Sequence, residues 1–174
     1  MGFIPARLSG AIELSPAVWP LLTPLSATLV HGGALHLGFN LLMLMWCGLA
    51  VERILGGGAV VLLYLVGAFV AAAAQWLVAP GSMIPVIGAS GAISAVLGTF
   101  ALMFSQQRRL TRSPRFDRWI NAAWLLAAWV VIQLLMHWMS RQQGLLLGTA
   151  AHIGGFVVGM LLQRPLLLWR YRGA

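Results

Sequence analysis

One serine and one histidine stand out in otherwise apolar stretches of this 174-residue chain. Ser90 lies in the sequence Gly88-Ala89-Ser90-Gly91, where the glycines leave the hydroxyl free of side-chain bulk. His152 interrupts a second apolar stretch, and an adjacent imidazole can take the proton that makes serine a useful nucleophile. Polar groups inside a bilayer are costly and usually functional. The two residue types therefore indicate peptide chemistry at membrane depth, with Ser90 as the nucleophile and His152 as the base.

The composition of the chain predicts that these residues belong to a membrane protein. Hydrophobic residues make up 60% of the chain and charged residues 8%, with a mean hydropathy of +0.90. A soluble domain carries about 25% charged residues, so we expect a polytopic helical membrane protein. The net charge of +8 comes from eleven arginines against three acids, which in a membrane protein indicates topology rather than nucleic acid binding. Cys47 is the single cysteine, so it has no partner here for a disulfide or a multi-cysteine metal site.

Five apolar segments are expected to span or enter the membrane. They lie near 33–51, 59–78, 90–104, 120–138 and 148–169. About 20 apolar residues cross the hydrocarbon layer, so the third segment is short and should begin below the outer surface, with residues 79–89 dipping towards it. Residues 1–32 are broken by four prolines and are predicted to form an external region. We expect the whole chain, 1–174, to form one all-α transmembrane bundle.

The arginine positions orient this bundle. If the loop 105–118 is cytoplasmic, nine of the eleven arginines lie inside and two, Arg7 and Arg141, lie outside, as the positive-inside rule favours. The first, third and fifth segments then all run from outside to inside. Four polar residues consequently share the outer third of three parallel helices and predict one pocket open to the outside. They are His36, Asn40, Ser90 and His152.

Small residues predict how closely two of these helices approach each other. Gly155 and Gly159 share a face of the fifth segment with His152, and Gly91 follows Ser90 at the start of the third. Small residues let transmembrane backbones come close. We therefore expect these faces to bring the serine hydroxyl within hydrogen-bond distance of the imidazole.

No acidic residue is predicted to complete a catalytic triad. Glu52 and Asp117 fall at the cytoplasmic ends of their segments, and Glu13 lies in the external region. We therefore expect a Ser–His dyad whose catalysis depends on stabilisation of the oxyanion. Three groups are candidate oxyanion donors. They are the backbone N–H of Ser90, the imidazole of His36 and the amide of Asn40.

The same residues allow other interpretations. His31, His36 and His152 could hold zinc, since three imidazoles suffice, but a serine and an asparagine at the same depth favour hydrolysis instead. A small transporter or channel would need polar residues continuing towards the cytoplasm, where the segments are almost purely apolar. We expect no metal, no cofactor and no nucleic acid partner.

Three stretches of this sequence resemble the rhomboid intramembrane serine proteases. In family order they are His31-Gly-Gly-Ala-Leu-His36-Leu-Gly-Phe-Asn40, Gly88-Ala-Ser90-Gly91 and Ala151-His152-Ile-Gly-Gly155-Phe-Val-Val-Gly159. The resemblance implies a serine endopeptidase with Ser90 as nucleophile and His152 as general base. It implies oxyanion stabilisation by His36 and Asn40. Supporting positions are His31, Gly88, Gly91, Gly155 and Gly159.

Two features depart from the family pattern. The family's core has six spans, whereas five are predicted here, and Phe3-Ile-Pro-Ala-Arg7 resembles the start of the external loop that follows the family's first helix. We expect that first helix to be absent, through a truncated gene model or a deletion. The Trp-Arg pair found in this loop of some members is also missing. Val51-Glu52-Arg53, by contrast, resembles the family's Glu-Arg element.

The resemblance further implies what the protein acts on and where. It implies cleavage of transmembrane protein substrates at or near the outer face of the membrane, which we expect to be the inner membrane of a bacterial cell. Substrate helices would enter laterally from the lipid bilayer, past a gate formed by residues 139–147 and the helix before them. The alternative is an inactive rhomboid-like protein that binds client transmembrane helices without cutting them. The sequence indicates neither the physiological substrate nor the oligomeric state.

Overall fold

The computed structural model describes residues 1–13, 18–105, 110–142 and 148–173, with the side chains of 140–142 excepted. The described residues form the predicted all-α bundle, which confirms the expected fold class. The helices are α1 (Pro5–Leu8), α2 (Thr23–Ser26), α3 (Ala34–Leu55), α4 (Gly57–Val78), α5 (Ser90–Phe104), α6 (Pro114–Gln142) and α7 (Thr149–Arg170). Among them α3, α4, α6 and α7 are long and apolar enough to cross a membrane, whereas α5 has 15 residues.

The described residues of 1–32 form short helical turns packed over the C-terminal end of α4. Beside α1 and α2 they include 3-10 turns at Pro20–Leu22 and Ala27–Leu29. Phe3 forms an antiparallel bridge with Val86, in which each N–H donates to the other's carbonyl, at 2.9 and 2.7 Å. Phe3 is buried against Ala27 and Ala72 in a small apolar cluster. The bridge and this cluster fix the irregular segment 79–89 that leads into α5.

Helix α5 packs between α4 and α7 through positions that have no room for a side chain. A methyl group at Gly67 on α4 would lie 2.7 Å from the Ala95 Cβ. A methyl group at Gly155 on α7 would overlap the Gly91 carbonyl, and one at Gly159 would overlap the Ala95 carbonyl. Small residues at a transmembrane interface allow this approach of backbones. The contact between α5 and α7 is therefore a contact of main chains.

The half of the bundle away from Ser90 and His152 has a conventional apolar core. Its buried members come from α3, α4, α5 and α7, and they are Cys47, Val51, Leu55, Ala59, Leu63, Val96 and Leu166. The Tyr171 hydroxyl donates to the Ile54 carbonyl at 2.9 Å, which ties the end of α7 to the end of α3. This core holds the lower ends of the helices while the polar residues gather at their upper ends.

Helix α6 lies at the edge of the bundle. Only 6% of its most apolar stretch is buried, compared with 33% for α4. Among the described residues it packs mainly on α7 and to a smaller extent on α5. Three of its side chains, each four residues after the last, bond to or stack on α7. They are Trp129, which stacks on Phe156, Gln133, which bonds His152, and His137, which bonds Thr149.

Two helices extend by four residues or more beyond the predicted apolar segments. Helix α3 continues four residues past 51 and ends before Gly56, whose φ of +86° favours glycine at a helix C-terminus. Helix α6 begins at Pro114 rather than near 120, and the Asp117 carboxylate in its first turn accepts hydrogen bonds from Thr111 N–H and Oγ1, at 2.9 and 2.8 Å. Hydropathy marks where the apolar residues stop, whereas caps decide where a helix stops.

Candidate active site

The structure brings Ser90 and His152 into direct contact. Ser90 is the first residue of α5 and His152 is the fourth residue of α7. The Ser90 Oγ and His152 Nε2 atoms are 2.7 Å apart, a normal hydrogen-bond distance. The approach follows from the glycine contacts one turn further along, where Gly155 packs on the Gly91 carbonyl. A proton can pass from the hydroxyl to the imidazole without any movement of the two helices.

Gly88 shapes the chain just before the serine. Its φ is +103°, a conformation that side chains disfavour. A methyl group here would also lie 2.7 Å from the Cε1 and Nε2 atoms of His36. The Gly88 N–H donates to the Ala27 carbonyl at 3.0 Å. The turn into α5 thus requires glycine for two independent reasons, and it seats the ring of His36 beside the serine loop.

His36 is held in one orientation. The Gly32 N–H donates to its Nδ1 at 3.3 Å, so in a neutral ring the proton is on Nε2. That atom faces the serine loop and can act as a donor there. His31 packs its ring edgewise on His36 with centroids 5.1 Å apart, and its own Nε2 is buried without a hydrogen-bond partner among the described residues. The structure therefore places His31 next to the site, in contact with His36.

Asn40 joins the site one helical turn below His36. Its amide Nδ2 donates to the His36 carbonyl at 2.8 Å, and the side chain is 6% exposed. An amide NH₂ has a second hydrogen. Asn40 lines a cavity of about 110 Å³ together with Ser90 and His152. His36 lies beside this cavity and contributes no lining atoms to it. The four residues predicted to share one depth therefore lie at one place.

Gln133 on α6 is a site residue that the sequence interpretation missed. Its Oε1 lies 2.8 Å from the His152 Nδ1, the ring nitrogen that faces away from the serine. It is 6% exposed and lines the same cavity. A signal was available, since Gln133 is the single polar residue between Ala122 and Met136, in the outer part of its segment. Depth follows directly from residue number along the three parallel helices, whereas α6 runs the other way.

Three further contacts stabilise the surroundings of His152 and Ser90. The Trp129 Nε1–H donates to the His152 carbonyl at 3.4 Å, and the Trp129 ring stacks on Phe156 with centroids 5.0 Å apart. On the other side, the Ser94 hydroxyl donates to the Ser90 carbonyl at 2.7 Å. Together these contacts attach α6 to α7 at the level of the site and close the first turn of α5.

The structure corrects one detail of the predicted glycine faces. Gly91 was expected to lie with the small residues that face α7. A methyl group at Gly91 would instead lie 2.7 Å from the Ala71 Cβ on α4, and 3.8 Å from the Ala151 Cβ. The carbonyl of Gly91, and not its hydrogen, faces Gly155. Periodicity shows which residues of one helix share a face. It does not show how α5 is rotated about its own axis, because that rotation depends on the packing of α4, α5 and α7 together.

The three-histidine interpretation does not match the geometry. Both ring nitrogens of His152 already have partners, the Ser90 hydroxyl and the Gln133 amide. Within 1–13, 18–105, 110–142 and 148–173, no three histidine, cysteine or acidic side chains are close enough to hold one metal ion. Of the expected gate, residues 139–142 belong to α6 and 143–147 lie outside the described residues.

Comparison with known proteins identifies relatives over most of the chain. The family profile of the rhomboid domain matches residues 15–169. The chain is 38% identical over 92 residues to Rhomboid protease GluP of Bacillus subtilis, covering 53% of this chain and 17% of that protein. It is 31% identical over 157 residues to RHOMBOID-like protein 4 of Arabidopsis thaliana, covering 89% and 36%. It is 31% identical over 138 residues to Rhomboid protease GlpG of Pectobacterium atrosepticum, covering 79% and 45%. The chain spans less than half the length of each of these relatives, and no solved structure matches it.

Proposed function

This chain belongs to the rhomboid family, and from that premise we propose that it is an intramembrane serine endopeptidase. Its helices make it an integral membrane protein. The observation that carries the proposal is the 2.7 Å distance between the Ser90 Oγ and the His152 Nε2. A serine hydroxyl becomes an effective nucleophile when a base at hydrogen-bond distance can take its proton.

The proposed reaction is acyl transfer in two steps. The Ser90 Oγ attacks the carbonyl carbon of the scissile bond while its proton passes to the His152 Nε2. The tetrahedral intermediate collapses when the C–N bond breaks and His152 returns the proton to the leaving amine, which leaves an acyl ester on the serine. Water then attacks the ester while His152 takes a proton from it. The second intermediate collapses when the ester C–O bond breaks and His152 gives the proton to the Ser90 Oγ, which releases the new carboxyl end and restores the serine hydroxyl.

Three groups near the serine are proposed to stabilise the oxyanion. The Ser90 N–H belongs to the first turn of α5, where amides have no acceptor within the helix. The His36 Nε2–H and the second hydrogen of the Asn40 amide lie beside it. Loss of one such donor lowers turnover by roughly 10²–10³ in soluble serine proteases. Removal of the Asn40 amide should therefore reduce cleavage much more than it reduces stability.

The site's surroundings favour transmembrane segments with small residues at the cleavage point. The cavity beside the serine, about 110 Å³, has room for a small side chain. Arg53 and Arg170 lie at the ends of α3 and α7 opposite the site, which supports an orientation with the site towards the outer side. For a bacterial cell, the membrane concerned is the inner one.

The test is cleavage of a transmembrane substrate by the purified full chain in proteoliposomes. Ser90→Ala should abolish cleavage, and so should labelling of the hydroxyl by a fluorophosphonate before substrate is added. Ser105→Ala is the matched control, since this serine lies just after the opposite end of the same helix. Cleavage by Ser90→Ala at the wild-type rate would refute the mechanism. A folded wild-type protein that never reacts with the fluorophosphonate would instead favour the client-binding alternative.

A further inference from the structure

Gln133 bonds to the Nδ1 atom of His152, whereas the proposed reaction uses the Nε2 atom of the same ring. We propose that it is a positioning residue, which holds His152 in the one tautomer that can take the serine proton. The inference rests on the proposed serine mechanism. It assigns a role to a neutral amide at the place where a soluble serine protease has a carboxylate.

The tautomer of His152 is set by the two hydrogen bonds of its imidazole. A neutral imidazole carries one proton, so one ring nitrogen donates and the other accepts. To take the serine proton, Nε2 must be the acceptor, and Nδ1 must then carry the hydrogen. The Gln133 Oε1, 2.8 Å from Nδ1, accepts that hydrogen. If the acceptor is lost, nothing at this position favours the productive tautomer over the other, and nothing fixes the ring plane.

Burial distinguishes Gln133 from a polar residue placed by chance. Its neighbours Ile132, Leu134 and Leu135 are each about half exposed, whereas Gln133 is 6% exposed. Burying an amide without a hydrogen bond is unfavourable, and the bond to His152 satisfies it. The side chain also stands between Trp129 and His137 on the face of α6 that contacts α7. Helix α6 thus directs the Gln133 amide, the polar group of its central part, towards His152.

The role depends on how α6 is docked. Trp129 stacks on α7 one turn before Gln133, and His137 bonds Thr149 one turn after it. These contacts set the amide oxygen in line with Nδ1. Displacement of α6 from α7 would remove the acceptor while the Ser90–His152 pair on the other two helices stayed together. A positioning role and a packing role predict opposite results when the Gln133 side chain is replaced. The rate of serine labelling falls if Gln133 positions His152, and it rises if Gln133 only holds α6 against α7.

The experiment compares Gln133→Leu with Gln133→Glu by the rate of fluorophosphonate labelling and by cleavage. Gln133→Leu should lower the labelling rate and kcat about tenfold, the equivalent of one hydrogen bond, with KM nearly unchanged. Gln133→Glu keeps an acceptor oxygen and should recover most of the rate. Gln75→Leu is the matched control, because the Oε1 of this glutamine on α4 is buried without a partner among the described residues. If Gln133 only packs α6, its loss opens the site and labelling rises, which would overturn the proposal.

A second measurement does not depend on activity. In protein carrying ¹⁵N-histidine, with His152→Ala to assign the signal, the wild type should show His152 protonated at Nδ1, and Gln133→Leu should show a mixture of tautomers. An unchanged tautomer in folded Gln133→Leu would overturn the proposal even if activity fell. If the tautomer shifts but wild-type protein is never labelled, the hydrogen bond is supported and the proposed hydrolysis fails.

Discussion

Helices α5 and α6 meet α7 in different ways. Between α5 and α7 the contact is made by main chains, with Gly155 and Gly159 on the carbonyls of the facing helix, and the buried Thr99 hydroxyl donating to the Gly159 carbonyl at 2.8 Å. Between α6 and α7 the specific contacts come from side chains of α6 spaced one turn apart, namely Trp129, Gln133 and His137. In the most apolar stretches, 28% of α7 is buried but only 6% of α6.

The difference separates two tasks within one site. Main-chain contacts cannot change by rotation of side chains, so the spacing of the two backbones that carry Ser90 and His152 is set by the glycine contacts. Side-chain contacts can be lost and remade, so the Gln133 amide stays beside His152 only while α6 is packed against α7. Four substitutions test this comparison, and their expected effects decrease in the order given.

The largest effect is expected at the backbone contact. Gly155→Ala places a methyl group on the Gly91 carbonyl, which must move α5 and α7 apart. Displacement of reacting groups by about 1 Å can cost about 100-fold in rate, and we expect a loss of at least that size in both labelling and cleavage. Gly58→Ala is the control, since a methyl group there meets open space. Wild-type activity in Gly155→Ala would show that the glycine contact does not set the distance.

A smaller loss is expected on the α6 side. Trp129→Ala removes the stack on Phe156, and an aromatic pair contributes about 0.5–1.5 kcal/mol beyond its buried area. The labelling rate should fall by up to about tenfold, because the amide oxygen of Gln133 is then less often in place. Trp124→Ala on the same helix, 73% exposed, should be silent.

Trp129 and Gln133 should also act through one another. In the Gln133→Leu background, Trp129→Ala should lower the labelling rate little further, because the contact it supports is already gone. Full additivity of the two substitutions would show that they act independently and would separate the docking of α6 from the orientation of the histidine.

A third substitution should affect stability more than rate. Thr99→Val removes the hydroxyl bonded to the Gly159 carbonyl while keeping the volume of the side chain. The free energy of unfolding in detergent should fall by about 1 kcal/mol, with kcat within about twofold of the wild type. A loss of activity without a loss of stability would mean that this bond, rather than the glycines, aligns the two helices.

The smallest effect is expected at the outer end of α6. His137→Leu removes the bond between Nδ1 and the Thr149 hydroxyl, 3.1 Å long. Hydrogen bonds between membrane helices average about 0.6 kcal/mol, so labelling should fall by less than threefold. A loss as large as that of Gln133→Leu would move the important contact from the glutamine to the histidine.

The sequence was sufficient to predict the candidate site residues that lie on parallel helices, because their depth follows from helix direction. It was insufficient where the contact depends on an antiparallel helix or on the rotation of one helix relative to its neighbours. Arginine counts and spacing placed His36, Asn40, Ser90 and His152 at one depth, because position along a parallel helix follows directly from residue number. Gln133 was not predicted, because α6 runs antiparallel to α3, α5 and α7. The neighbour that Gly91 faces was also not predicted, since the rotation of a helix about its axis depends on all its neighbours together.

The shortness of α5 has a consequence for how the site responds to its membrane. Fifteen residues rise about 22 Å, whereas the hydrocarbon layer is about 30 Å thick. If the end of α5 away from Ser90 lies at one boundary of this layer, Ser90 lies about 8 Å beneath the opposite boundary. Each Å of added bilayer thickness then lengthens the path from bulk water to the Ser90 hydroxyl. Membrane thickness, set by acyl chain length, is therefore a variable of the proposed reaction, because α5 is shorter than the hydrocarbon layer.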